Sequence, residues 1–228
     1  MNRILIVVTN HATLGDTGRA TGYYLDEVAA PYYAFTDKGY DVDIASPLGG
    51  PAPMDPGSAA AADDADGPSA RFLSDSVAVT AIALTRPLAQ VDPAAYDAVF
   101  IAGGHGVMWD LAVDDELAQL LGAVDARGAV IGAVCHGPAG LVLATRVDGT
   151  PLVRGRRVAA FTDAEETAAG LTNVVPFLLE SRMRALGAVV VSAPLWADNA
   201  VRDGNLVTGQ NPMSAASTAA LVLEALGG

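Results

Sequence analysis

The chain is nearly without cysteine: one among 228 residues, Cys135. A single thiol forms no internal disulfide and supplies no multi-thiolate metal site, so neither an oxidised scaffold nor a zinc module can be built from it. Positive charge is also scarce. Thirteen lysines and arginines stand against twenty-six acids, a formal charge of −13. A field of that sign repels phosphate backbones and anionic lipid, so neither nucleic acid nor a membrane surface is an expected partner. Charged residues are only 17% of the chain and hydrophobic ones 51%, which excludes extended disorder and requires a packed interior. Long apolar runs are missing as well. Residues 4–8 are too few for a signal peptide, and 129–144 are broken by His136 and Pro138, short of the roughly 20 residues a bilayer needs. A cytoplasmic globular protein is expected, with residues 1–228 forming one domain.

What is present alternates. Short continuous apolar runs, the signature of strands covered on both faces, are separated by longer amphipathic ones. Strands are expected at 4–8, 42–45, 98–102, 129–134, 158–161 and 189–191, and helices at 25–38, 114–127, 138–143, 172–186 and 213–226. That order predicts the α/β class: a doubly wound, mostly parallel, flavodoxin-like sheet flanked by helices. Asp203-Gly204 between two apolar segments predicts a small β-hairpin over 201–208. Residues 47–68, rich in Pro, Gly, Ala and Asp, predict an exposed excursion within the domain.

The informative stretch runs from Ala129 to Leu141. An apolar strand ends at Val134, Cys135 follows at once, and Pro138 stands where a first helical turn accepts it. Cys135 is thus expected on a strand-to-helix elbow, strained and close to helix-terminal N–H groups that lower a thiol pKa. The bland reading, a small buried hydrophobe, is the common fate of a single cysteine; the crowding of Gly132, Gly137 and Gly140 and the adjacent His136 argue for a nucleophile. His136 could exchange protons with it or simply bond a neighbouring loop. A second turn, Ala102-Gly103-Gly104-His105-Gly106, follows another strand and opens at the same sheet edge. Its free N–H groups, with that of His136, make an oxyanion hole plausible. Gly103, His105, Tyr23 and Trp109 stand as pocket candidates; Tyr24 and Trp196 read equally as core, pocket wall or interface. Periodicity does not select Glu27, which lies off the apolar stripe of its helix and reads as solvated. Nor does it select Glu165 or Glu166, which read as helix-cap acids.

Gly132-Ala-Val-Cys-His-Gly-Pro-Ala139, with the Gly-Gly-His-Gly turn upstream, resembles the ThiJ/PfpI superfamily, whose fold is that of class I glutamine amidotransferase domains. Thr21-Gly-Tyr-Tyr-Leu-Asp-Glu27, the Phe161-Thr-Asp-Ala-Glu-Glu-Thr167 segment and Thr208-Gly-Gln-Asn-Pro212 are similar to the branch that holds glyoxalase III and heat-inducible holdase chaperones. The resemblance implies a nucleophile at Cys135, a histidine at His136, a third acid at Glu166 and a protonated carboxyl at Glu27 touching the sulfur. It also implies oxyanion donors in the N–H groups of Gly104 and His136. The Glu165-Glu166 pair offers His136 two carboxylates, with the following Thr167 favouring Glu166. The implied reaction converts methylglyoxal and related 2-oxoaldehydes to 2-hydroxy acids without cofactor or metal, in a homodimer. Rival readings are a cysteine amidase, peptidase or protein deglycase, and a non-enzymatic holdase or redox sensor that binds unfolded chains.

Overall fold

The apolar run at the amino terminus becomes β1 (Arg3–Val7) in the computed structural model, which describes residues 2–60, 64 and 66–227. After it come α1 (Leu25–Thr36), β2 (Asp41–Ser46), α2 (Pro56–Ala60), α3 (Pro68–Ser74), α4 (Ser76–Ala83), β3 (Arg86–Pro87) and β4 (Ala98–Ile101). The second half supplies α5 (Asp115–Ala126), β5 (Val130–Val134), β6 (Arg157–Val158), α6 (Asp163–Ala168), α7 (Leu179–Ala185), β7 (Val189–Val190), β8 (Ala200–Asp203), β9 (Leu206–Gly209) and α8 (Ala215–Ala225). Seven strands form one sheet in the order β3-β2-β1-β4-β5-β9-β8, parallel except for the expected hairpin β8–β9. Every residue of β4 and β5 is buried, which is why these strands read as unbroken apolar runs. The helix α8 packs on α1, β5 and β9, while α5 covers β4 and β5.

Four expectations change. Residues 158–161 and 189–191 do not join the main sheet; β6 and β7 pair in a separate two-stranded parallel sheet. Beyond Val158 the backbone is committed elsewhere, with the Ala159 N–H donating to Thr208 Oγ1 and the Phe161 N–H to the Cys135 carbonyl. The helix expected at 172–186 is only α7, because Pro176 lacks the N–H a helix interior requires. The one expected at 138–143 is a short 3-10 turn, Gly137–Leu141, in a segment whose glycines favour no helix. The 47–68 excursion is not uniformly exposed: it carries α2, buries Ser58 and gives the Pro53 carbonyl to the Tyr23 N–H. Its residues 61–63 and 65 lie outside the described residues. Among the described residues no helix is long and apolar enough to cross a membrane.

From β1 the chain runs outward to β2 and β3, then returns to β4 on the other side of β1. Ligands of such sheets bind at the carboxyl edge near this reversal. The carboxyl ends of β4, β5 and β9 place Gly103-Gly104, Cys135 and Gln210-Asn211 there.

Candidate active site

Cys135 is the first residue past β5 and has φ +61, a left-handed conformation that a side chain rarely adopts. Its neighbours hold it there. The Cys135 N–H donates to the Gly209 carbonyl (3.0 Å), and its own carbonyl accepts from Phe161 (2.9 Å). The strain predicted for an elbow is therefore present and over-determined from two sides. Gly137 must be glycine for the chain to turn, since a Cβ would collide with the Ile101 carbonyl oxygen.

His136 follows, buried, with Nδ1 3.4 Å from the Cys135 sulfur and Nε2 2.9 Å from Glu166 Oε2. Because a carboxylate only accepts, the Nε2 atom carries the hydrogen and the lone pair of the neutral ring lies at Nδ1, facing the thiol. Burial, and then the neighbouring His105, push the His136 pKa down to about 4, so the ring is neutral at pH 7. Glu166 holds the tautomer. Burial pulls this carboxyl upward, but hydrogen bonds from His105 and His136 outweigh it and hold Glu166 at about 2.

The two adjacent glutamates have separate tasks. Glu165 closes a capping box with Thr162 at the start of α6 and accepts from the Trp196 N–H, Gln210 Nε2 and Asn211 Nδ2. Only Glu166 reaches the histidines. The cap reading thus describes Glu165, and the side chain of Glu166, one position further round the helix, points to His136.

Glu27 is fully buried, contrary to its reading as a solvated residue. α1 has no wet face at Glu27 because it is packed between α8 and α3 and is covered on most of its circumference. Its Oε2 accepts the Gly103 N–H at 2.8 Å, while Oε1 is enclosed without a hydrogen-bond partner of its own among the described residues. Burial pushes the Glu27 pKa to about 8, so the group is protonated at pH 7, and Oε1 is the oxygen left to carry the proton. Burial and Glu27 also push the Cys135 thiol up, against the opposing N–H groups of His136 and Gly104. The expected lowering of the thiol pKa is therefore not found. The segment after the elbow is a single 3-10 turn with little dipole, and desolvation exceeds what two N–H donors return.

The N–H groups of His136 and Gly104 both lie toward the sulfur. Gly104 has φ +98, and a Cβ there would strike the Gly22 carbonyl oxygen.

Glu27 makes the fold sensitive to pH. Its folded pKa of about 8 lies above the ordinary 4.5, so between these values the unfolded chain releases a proton that the native state retains. Stability falls as pH rises through that window, by an amount on the order of a few kcal/mol at about 1.4 kcal/mol per unit. In Glu27→Gln this dependence is absent: its melting temperature matches wild type at pH 5 and exceeds it at pH 8. Melting curves that stay parallel across the range would show Glu27 to be ionised in the native state.

A cavity of about 360 Å³ opens over the sulfur, lined by Gly104, His105, Cys135 and His136 on one side. Leu14, Tyr24, Phe161, Leu171, Trp196 and Met213 form the other walls. Three pocket candidates do not line it. Tyr23 is turned into the core, Trp109 stacks on His11 at 5.2 Å, and Gly103 lies behind the thiol against Glu27. Their places are taken by Tyr24 and Trp196. The latter also has a positive φ, +62, fixed by its N–H bond to Glu165 and by its ring packed on Phe161 at 5.7 Å. His105, a candidate only as lining, additionally bonds Glu166 Oε1 through Nε2 at 2.9 Å. Nothing in the spacing of the Gly-Gly-His-Gly turn reveals that partner, 61 residues away. His105, His136 and Glu166 bring their ligand atoms within 4.8 Å of one another and are the described residues that could hold a metal ion.

The DJ-1/PfpI family profile matches residues 20–225. The chain belongs to the DJ-1/PfpI family. Within that family it is 30% identical over 237 residues to the glutathione-independent glyoxalase HSP31 of Saccharomyces cerevisiae, with 98% of each chain covered. Its structure superposes on the 24 kDa Rapid Encystment Protein of Francisella tularensis with a TM-score of 0.94 at 35% identity, covering 99% of both chains. It superposes on glyoxalase III of Candida albicans with a TM-score of 0.87 at 29% identity, covering 98% of this chain and 96% of the other.

Proposed function

We propose that the protein is a glutathione-independent glyoxalase that converts methylglyoxal and related 2-oxoaldehydes to 2-hydroxy acids. The observation that carries this reading is a single buried thiol placed between the lone pair of a neutral imidazole and two N–H groups that lie toward it, beneath a cavity of small-molecule size. The names of the Saccharomyces and Candida relatives agree with it.

The chemistry follows from the geometry. His136 Nδ1 takes the sulfhydryl proton as Sγ adds to the aldehyde carbon, and the N–H groups of Gly104 and His136 stabilise the oxygen that gains charge. That oxygen takes the proton from His136, giving a hemithioacetal. Removal of the hydrogen on the former aldehyde carbon and protonation of the neighbouring ketone carbon pass through an enediol to a thioester of the 2-hydroxy acid. Water hydrolyses the thioester, releasing lactate from methylglyoxal and restoring the thiol. Glu27, protonated beside the sulfur, adds no negative charge next to the forming thiolate. Glu166 keeps the His136 lone pair directed at Cys135.

Purified protein supplied with methylglyoxal and no glutathione is expected to form lactate stoichiometrically, and to leave a chromogenic amide intact. Amide cleavage without lactate formation would instead make it an acyl-transfer hydrolase. Suppression of client aggregation in the absence of either reaction would make it a holdase.

A further inference from the structure

A triad of thiol, imidazole and carboxylate needs one histidine, yet Glu166 is shared by two. His105 Nε2 donates to Oε1 and His136 Nε2 to Oε2, each at 2.9 Å, and the ring centroids are 4.1 Å apart. The two imidazoles are thus oriented alike, with Nε2–H engaged and, in the neutral form, the lone pair at Nδ1. Their Nδ1 atoms meet different surroundings. That of His136 faces the sulfur. That of His105 has no hydrogen-bond partner among the described residues, yet it is not enclosed as Glu27 Oε1 is, and its ring lines the cavity with 18% of the side chain exposed.

The reaction asks for two proton-handling groups in different places. One accompanies the sulfur during addition and thioester hydrolysis; the other must reach the substrate carbons beyond it. We infer that His105 is a second catalytic base, which removes the hydrogen of the former aldehyde carbon from the hemithioacetal through Nδ1 and returns a proton to the neighbouring carbon. The step balances without a co-reactant. The C–H electron pair becomes the enediol double bond as the ketone oxygen takes a proton, which it keeps as the product hydroxyl; the former aldehyde oxygen then gives up its proton to become the thioester carbonyl, and the proton on His105 goes to the second carbon. His136 then serves the sulfur, and Glu166 fixes both rings at once. This inference rests on the glyoxalase reading.

It separates from a purely supporting role for His105 by one substitution. In His105→Gln the amide nitrogen stands where Nε2 stood and still donates to Glu166, but no basic nitrogen faces the cavity. Turnover of methylglyoxal to lactate is expected to fall ~100-fold or more, the range of a lost general base, with KM little changed. Addition to Cys135 is not impaired, so intact-mass measurement after mixing enzyme with methylglyoxal shows a reversible adduct of one substrate molecule accumulating. Wild-type turnover in His105→Gln would overturn the inference, because a donor to Glu166 would then suffice. Loss of adduct formation together with turnover would also overturn it, placing the effect on Cys135 and His136. If the wild-type protein itself forms no lactate, the glyoxalase reading fails and the second base fails with it; lactate formation with an unaffected variant removes the second base alone.

Discussion

Cys135→Ala is expected to form no lactate from methylglyoxal above the uncatalysed rate, a loss on the order of 10⁴-fold or more, while melting close to the wild-type temperature. The chain contains no other thiol to take over the addition. Alanine keeps the Cβ, so the strained backbone at φ +61 and its bonds to Gly209 and Phe161 are undisturbed. Only the sulfur atom, its contact with His136 and its contact with Glu27 are removed. Cys135→Ser is expected to be equally inactive, since the neutral imidazole of His136, with a pKa of about 4, is too weak a base to activate an alcohol. The two variants are compared with wild type by lactate formation and by thermal melting. Turnover in either variant at more than about a hundredth of the wild-type rate would place the chemistry on another group.

The neighbouring glutamates give the second large effect, and its value lies in the contrast. Glu165→Ala removes the acceptor of five hydrogen bonds, from the N–H and hydroxyl of Thr162, the N–H of Trp196 and the amides of Gln210 and Asn211. Several of these donors are buried and would be left unpaired, a cost of about 3–5 kcal/mol in stability, seen as a lower midpoint in chemical denaturation. Glu166→Ala removes two hydrogen bonds donated by the His136 and His105 rings and costs less, but frees both rings to rotate. Turnover is expected to fall by ~10²–10⁴-fold. Residual activity of Glu165→Ala, measured at a temperature where it is folded, stays well above that of Glu166→Ala. The reverse pattern would exchange the roles assigned to these two carboxylates.

The difference between them marks how far the residues alone can be read. The doubly wound sheet is legible because β1, β4 and β5 are covered on both faces and their sequences are apolar without interruption. The elbow is legible for a related reason: an apolar strand running directly into Cys-His-Gly-Pro leaves no room for a loop, so the thiol has to stand at the sheet edge. Glu27 is hidden because amphipathic analysis assumes a helix with one wet face, and α1 has almost none. Glu165 and Glu166 are alike in the sequence, and only the orientation of α6 separates them. The pairing of His105 with Glu166 arises from a contact between the end of β4 and the start of α6, which no local pattern encodes. Tyr24 rather than Tyr23 reaches the cavity for a similar reason, since which of two adjacent aromatic rings faces inward depends on the turn that carries them. The raised thiol pKa departs from the expectation because the elbow feeds a single 3-10 turn, which supplies little of the dipole of a full helix.

During turnover the Cys135 sulfur is expected to carry the 2-hydroxyacyl group. Rapid acid quenching of wild-type protein during steady-state conversion of methylglyoxal, followed by peptide mass analysis, measures this directly. A lactoyl thioester is expected on the peptide containing Cys135, appearing within one turnover and disappearing when the substrate is exhausted. Lactate produced while that peptide remains unmodified at every quench time, with turnover slower than the quench, would contradict it.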